Sequence, residues 1–394
     1  MLTALDLFSG AGGFSLGFCQ AGLNVVAAIE SDRFAAETYR NNHRDTQLLE
    51  RDVTGLNDSE ILRLFAGVEV LFGGPPCQGF SVAGPAQYKK SDNRNHLIFE
   101  FERFARILKP RFIVVENVKG IVNGRIGKKR GALSVLSDAL RAHGYLCEVV
   151  VVRASDFSVP QTRERVFLFA HREDSSISFT NLLKNRREPA VVSSWDALSD
   201  LLPLTAGEGI DGDQRYAQRP GNQFQVRVRQ NSEAVRNHVA MKHTKRIIER
   251  LKVIGPGQSL KDVGAEYGQR KRNSQDVDVT KRYKMNCFRI DPLAPAITLP
   301  ANFQTIHVHP FQDRMLTARE GARLQSFPDD YIFYGPRTLM SRKLLEREGR
   351  HDEIGLSQYN QIGNAVAPRV AFAIGTALLE AANHEELSDA VEFA

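Results

Sequence analysis

Gly73-Gly74-Pro75-Pro76-Cys77-Gln78-Gly79-Phe80-Ser81 is the segment of this chain best suited to covalent chemistry. It follows an apolar run, Val70–Gly73, and so sets a single thiol at the end of a strand. Two prolines stiffen the approach to Cys77 and glycines flank it, a pattern for a fixed nucleophile beside a mobile polar loop, Phe80–Asn95. A lone cysteine is usually a small buried hydrophobe, and Cys19, Cys147 and Cys287 read that way. None of the four forms a C-x-x-C pair, so neither a zinc site nor a dithiol is signalled, and no metal is expected.

Other segments offer groups that such a nucleophile needs around it. Asp6-Leu7-Phe8-Ser9-Gly10-Ala11-Gly12-Gly13-Phe14 puts glycines at a strand-to-helix turn, where the backbone can approach a ligand closely. The spacing is not G-x-G-x-x-G, which argues against a nicotinamide dinucleotide. Glu30 closes the second apolar run and can accept from ribose hydroxyls; Asp52, just past the third, can accept from an adenine amino group. Without the glycine turn beside them, both would read equally well as surface carboxylates. Glu116, in Glu116-Asn117-Val118, ends another apolar strand, where burial would keep its carboxyl able to donate a proton. Gln161-Thr162-Arg163-Glu164-Arg165 adds two guanidiniums suited to a phosphate or a base carbonyl, although an isolated R-x-R is usually a solvated pair.

These groups need a frame that brings them to one edge. Strand patterns at Leu2–Phe8, Val25–Glu30, Gln47–Arg51, Val70–Gly73, Phe112–Glu116, Cys147–Val152 and Val166–Ala170 alternate with helical ones. The helical patterns are Gly13–Ala21, Arg33–Asn42, Ser59–Phe65, Leu97–Leu108 and Leu133–His143. This alternation predicts an α/β fold, a doubly wound and mostly parallel sheet with helices on both faces. Ligands then bind at the carboxyl ends of the strands, where every segment above falls. Beyond Ala170 the periodicity weakens. Val235–Val253 reads as one helix stopped by Gly255-Pro256-Gly257, residues 203–230 as loops or short strands, and Ala365–Ala382 as a helix returning to the sheet.

Bulk properties narrow the class. A chain of 394 residues accommodates two domains. It has no uninterrupted apolar run of about 18 residues and opens directly on a strand pattern without signal-peptide features, so a soluble, cytoplasmic protein is expected. The net charge of +6 is concentrated: residues 173–300 hold 21 basic against 15 acidic side chains, whereas 301–394 hold 9 against 13. A polyanion would therefore sit on the middle segment.

Arg323-Leu324-Gln325-Ser326-Phe327-Pro328 and Gln361-Ile362-Gly363-Asn364-Ala365-Val366 complete an ordered series running from Asp6 to Pro368. In that series the chain resembles the DNA cytosine-5 methyltransferases. The resemblance implies a Rossmann-like methyltransferase fold, with a catalytic domain that binds S-adenosylmethionine over 1–172 and 346–394 and a smaller target-recognition domain over 173–345. It implies a cofactor pocket from Phe8, Ser9, Gly10, Gly12, Gly13, Glu30 for the ribose, Asp52 for the adenine, Pro75, Asn364 and Val366. Catalysis would fall to Cys77, Glu116, Arg163 and Arg165. DNA contacts would come from Gln78 and Ser81 beside the nucleophile and from Arg227, Arg229, Arg270 and Arg272, with Lys271, Lys281 and Arg282 as further candidates. Two departures stand out. Ser31 follows Glu30 where the family often has a large side chain, and Gly335–Ser357 spaces the last two motifs widely, with Arg342–Glu353 reading as an exposed inserted helix.

The implied reaction is attack of the Cys77 thiolate on carbon 6 of a flipped-out cytosine, followed by methylation of carbon 5 and release of S-adenosylhomocysteine. The expected setting is a prokaryotic or phage restriction-modification system. Double-stranded DNA is the substrate there, a separate restriction endonuclease is the functional partner, and the enzyme is a monomer with no membrane attachment. One rival is an RNA methyltransferase, disfavoured by the long basic middle segment and by Gly-Phe-Ser after Cys77-Gln78. Another is an inactive DNA-binding paralogue, disfavoured by intact Cys77, Glu116 and Arg165.

Overall fold

The computed structural model describes residues 1–76, 97–118, 131–172, 177–188, 190–268, 286–337 and 342–392, the side chains of 342 and 385–392 aside. The chain divides into two compact units. One comprises Met1–Phe157, Glu164–Pro189 and Ala365–Ala394; the other comprises Ser158–Arg163 and Ala190–Asn364. Residues 346–364, expected with the catalytic domain, group with the second unit, and 173–189, expected with the other domain, group with the first.

The first unit holds a seven-stranded sheet: β1 (Thr3–Leu7), β2 (Asn24–Glu30), β3 (Gln47–Glu50), β4 (Val70–Gly73), β5 (Phe112–Asn117), β6 (Leu146–Arg153) and β7 (Glu164–His171). The strand order is β3-β2-β1-β4-β5-β7-β6. The order reverses between β1 and β4, which opens a crevice at their carboxyl ends. Leu7 lies beside Gly73 and Gly73 beside Val115, so the three central strands end nearly level. The sheet is mostly parallel; β7 is the exception and runs antiparallel to β5 and β6. Only ten residues join β6 to β7, with no crossover helix, so the chain must turn back on itself.

The helices of this unit are α1 (Gly13–Ala21), α2 (Arg33–Asn42), α3 (Asp58–Phe65), α4 (Glu100–Leu108), α5 (Ala132–Ala142), α6 (Phe179–Lys184) and a C-terminal helix, Pro368–Glu392. Local chemistry sets where several begin. Asp32 accepts from the amides of Phe34 and Ala35, and Asn57 and Glu60 form a reciprocal capping box on α3. One sheet face buries Leu5, Leu7, Leu71, Ile113 and Val115 together with Ile61, Phe65, Phe101, Phe104, Leu136 and Leu140 from α3, α4 and α5. On the other face, Phe14 and Phe18 of α1 meet Phe72 at 5.0 and 4.4 Å. The C-terminal helix lies tightly on α1: a Cβ at Gly17 would stand 2.4 Å from the Ala371 Cβ. Only glycine permits that approach.

The second unit is built from short pieces. Its helices are Ser194–Leu198, Gln223–Arg229, Lys245–Lys252, Ala318–Leu324, Arg342–Arg347 and Gln358–Asn364. Two-residue ladders pair Gly209–Ile210 with His238–Val239 and Phe288–Arg289 with His307–Val308. The single helix expected over Val235–Val253 does not form. Asn237 takes φ 59°, His238–Val239 extend into a ladder, and the helix starts only where Thr244 caps the Ile247 amide. Nor is the inserted stretch wholly exposed, since Leu345 is buried.

With so few ladders, backbone carbonyls here find other donors. Arg319 donates to the carbonyls of Arg236, Pro328 and Tyr331 at 2.8, 3.0 and 2.6 Å. Arg314 donates to Leu204 and Met315 and pairs with Glu320, and Arg323 binds Asp200 and Asp329. All three arginines are fully buried. Of the cysteines, Cys287 is buried and Cys147 half-buried, but Cys19 is exposed on α1, against expectation. Among the described residues, no single helix is long and apolar enough to cross a membrane, and no cluster of side chains could hold a metal ion.

Candidate functional site

The glycine turn after β1 is held from two sides. Ser9 donates its amide to the Ile29 carbonyl at 3.1 Å, and Gly10 donates to Glu30 Oε2 at 2.7 Å. Glu30 Oε1 accepts the amides of Ser31 and Asp32 at 2.8 and 2.7 Å, so one carboxylate ties the turn to the start of α2. Burial pushes the Glu30 carboxyl up from its ordinary value, although these three amides oppose the shift. Phe8, Gly10 and Gly12 all take positive φ, and α1, with Gly12 at its N-cap, has no side-chain cap. Its first amides are therefore available to a ligand. Beneath the turn, Tyr39 donates to Ser15 and Ser15 to the buried Asp6. Asp52 lies past β3, exposed, where its Oδ1 caps Thr54.

A second group gathers at the ends of β4, β5 and β7. A Cβ on Gly73 would stand 1.9 Å from the Leu7 carbonyl oxygen, so the approach to Pro75 and Pro76 begins with an obligatory glycine. Pro75 is buried and Pro76 exposed; Cys77, with Gln78 and Ser81, lies outside the described residues. Glu116 at the end of β5 pairs with Arg165 of β7, Oε1 to Nε 2.8 Å, and both side chains are largely buried. A Cβ on Gly74 would sit 3.1 Å from Glu116 Oε2, so this carboxylate lies against the backbone three residues before Cys77. Burial lowers the Arg165 pKa and the Glu116 charge raises it, leaving it below its ordinary value.

Arg163 and Arg165, read together in the sequence, separate. Arg163 falls in the second unit, buried, and its Nη1 donates to the carbonyls of Leu299 and Gly363 at 3.0 and 2.7 Å. Gln161, absent from the expected site, is fully buried and joins three motif segments of that unit. Its Nε2 reaches Leu324 O and Gln325 Oε1, its Oε1 accepts from Leu299, and Gln325 in turn donates to Ile362 O. The only sequence signal for this role was its place at the head of Q-T-R-E-R. Asn117 was missed as well: it is buried, and its Nδ2 has no hydrogen-bond partner among the described residues.

Asn364 is exposed at the end of the second unit, while Val366 is buried in the first. Arg227 is exposed near the end of helix Gln223–Arg229. Arg229 is already engaged: it pairs with Asp200, donates to Gln218 O and lies 3.5 Å over the Tyr216 ring. Arg270, Lys271, Arg272, Lys281 and Arg282 lie outside the described residues.

Residues 2–380 match the family model described as C-5 cytosine-specific DNA methylase. The type II methyltransferase M.DdeI of Desulfomicrobium norvegicum is 40% identical over 95% of this chain and 87% of its own length. M1.HphI of Haemophilus parahaemolyticus, also a type II methyltransferase, is 33% identical over 98% of this chain and 88% of its own. Among solved structures, an E. coli prophage-encoded protein described as a DNA modification methyltransferase superposes with a TM-score of 0.75. It is 25% identical, and the match covers 97% of this chain and 100% of that one.

Proposed function

The chain belongs to the C-5 cytosine-specific DNA methylase family and is a DNA cytosine-5 methyltransferase, and we propose that it works on duplex DNA through Cys77, Glu116 and Arg165 with S-adenosylmethionine as donor. The observation that carries this assignment is the Glu116–Arg165 pair packed against Gly74, at the entry to the Pro-Pro-Cys segment. The Cys77 thiolate adds to ring carbon 6 of the cytosine, which moves the C5–C6 electron pair onto carbon 5. Glu116 holds the N3 and amino edge of the base, and Arg165 fixes the Glu116 carboxyl in position and favours the thiolate by its charge. The cofactor, when bound, supplies an electrophilic methyl group to carbon 5 and leaves as S-adenosylhomocysteine. Loss of the carbon-5 proton and breakage of the C6–S bond then return Cys77 to its thiolate form. Arg163, expected in catalysis, acts in this reading as a positioning residue, because its Nη1 binds the Leu299 and Gly363 carbonyls.

The residues present fit the cofactor. Among the described residues, Ser9 Oγ and Asn117 Nδ2 are buried polar atoms without hydrogen-bond partners, as an absent polar ligand would leave them. Phe8, the closely approachable backbone of Gly10, Gly12 and Gly13, Glu30, Asp52, Pro75 and Val366 would hold it. Base flipping is required because carbon 6 is closed off in a stacked duplex. The basic segment between the motifs, within 173–345, would read the sequence around the target. The type II relatives support a restriction-modification role; action in the cytoplasm as a monomer, beside a separate endonuclease, is part of the same proposal.

Transfer of labelled methyl groups to DNA, followed by bisulfite sequencing, tests the activity and finds the target. Cys77→Ala should abolish transfer and keep S-adenosylhomocysteine binding, and wild type should form a denaturation-resistant adduct with 5-fluorocytosine DNA. Appreciable methylation by Cys77→Ala, or transfer to RNA in place of DNA, would overturn the proposal.

A further inference from the structure

The turn that carries Asp52 is too short to hold itself. It is a three-residue helical turn, Val53–Gly55, closed by Gly55 N to Asp52 O at 3.0 Å and a long Leu56 N to Val53 O contact at 3.4 Å. Side chains add further bonds to carbonyls of the turn and of its exit at Leu56. Arg51 reaches Gly55 O at 2.9 Å. Arg103, from the middle of α4, reaches two more: Nη1 donates to Leu56 O at 2.8 Å and Nη2 to Val53 O at 3.1 Å. Glu100, one turn earlier on α4, binds the Nε and Nη2 of the same guanidinium at 2.9 and 2.5 Å and so fixes the plane of the fork. Asp52 uses Oδ1 for both contacts with Thr54, at 2.9 and 2.7 Å, and Oδ2 takes part in neither.

We infer that Arg103 is a positioning residue for cofactor recognition, setting the Asp52 carboxylate where it meets the exocyclic amino group of an adenine. The inference rests on the reading of the chain as an S-adenosylmethionine-dependent enzyme and adds a residue outside the motif series. A lysine cannot replace this arginine, because two carbonyls and two carboxylates, Glu100 and, at 3.3 Å, Asp58, are gripped at once by a planar fork. The surrounding apolar packing of Val53, Leu56, Ile98 and Phe101 seats the turn on α4 but does not orient its carbonyls. Orientation is the part supplied by Arg103.

A purely structural role would weaken every ligand alike, so the test compares two ligands. Calorimetric titration with S-adenosylhomocysteine and with S-inosylhomocysteine, which lacks the amino group, is applied to full-length wild type, Arg103→Met, Arg103→Lys, Asp52→Asn and the Arg103→Met/Asp52→Asn double variant. Arg103→Met should weaken S-adenosylhomocysteine about tenfold and change the inosyl analogue by less than about twofold, and the double variant should bind like Asp52→Asn alone. kcat at saturating cofactor should hold. Arg103→Lys, which keeps the charge, should show the same selective loss and serves if the methionine variant folds poorly. Equal weakening of both ligands, or additive losses in the double variant, overturns the role of Arg103. Undiminished S-adenosylhomocysteine binding by Asp52→Asn overturns it too, and places the failure in the adenine assignment. Labelled methyl transfer by wild type, measured alongside, shows separately whether the reading of the enzyme itself stands.

Discussion

Replacing Gly74 by alanine asks whether the backbone beside Glu116 sets the position of its carboxyl. The new Cβ would stand 3.1 Å from Oε2, closer than an ordinary van der Waals contact, so the carboxylate must retreat by a few tenths of an ångström. Its path is restricted, because Oε1 is held 2.8 Å from Arg165 Nε. Catalytic groups need placement within about 0.5 Å, and a misplacement of about 1 Å can cost about 10²-fold. Gly74→Ala should therefore lower kcat by about tenfold, with S-adenosylhomocysteine affinity and thermal midpoint nearly unchanged. Gly73→Ala is the contrast. Its Cβ would fall 1.9 Å from the Leu7 carbonyl oxygen, which is backbone and cannot rotate away, so β1 and β4 must separate. That change should destabilise by about 1–3 kcal/mol or more. Labelled methyl transfer at saturating DNA and cofactor, calorimetry and thermal denaturation read the three quantities. Full kcat in Gly74→Ala, or a loss of stability matching Gly73→Ala, would refute the reasoning.

Glu116→Gln should reduce the rate by about 10²–10⁴-fold while cofactor affinity holds, and equal losses in both would assign the carboxylate a structural role. Exchanging residues 180–300 for the matching segment of a relative should change the sequence methylated and leave the product 5-methylcytosine; an active chimera with the original target would move recognition to the catalytic unit. Acid should weaken the second unit through Glu320. Burial alone would raise this carboxyl, but the Arg314 charge and hydrogen bonds hold it below the usual carboxylate range. A depressed folded pKa gives stability that is complete above the unfolded value of about 4.3 and is lost as pH falls below it towards the folded value. Glu320→Gln should flatten that acid-side decline in urea unfolding, and an unchanged slope would remove Glu320 from the account.

The sequence alone determined most elements of the first unit and the strand ends at which several of its candidate residues stand. Periods of 2 and 3.6 in apolar residues are local signals, and Asp32 and Asn57 cap α2 and α3 with groups two or three residues away. The glycine turn, Pro75-Pro76 and Glu116 were legible for the same reason: each lies at the end of a strand that the pattern marks. The antiparallel β7 was less so, since direction depends on how a ten-residue link folds back. In the second unit, Arg314, Arg319 and Arg323 look in sequence like solvated charges and are instead fully buried among carbonyls and carboxylates. Val235–Val253 has helical spacing, yet Asn237 and the ladder at His238–Val239 break it. Arg163 and Arg165 stand two residues apart, and only one reaches Glu116. Arg163 takes carbonyls 136 and 200 residues further along the chain, Leu299 and Gly363. Periodicity records which face of an element avoids water. Which buried donor meets which acceptor depends on groups that only the folded chain brings within 3 Å, and that pairing was left to the tertiary structure.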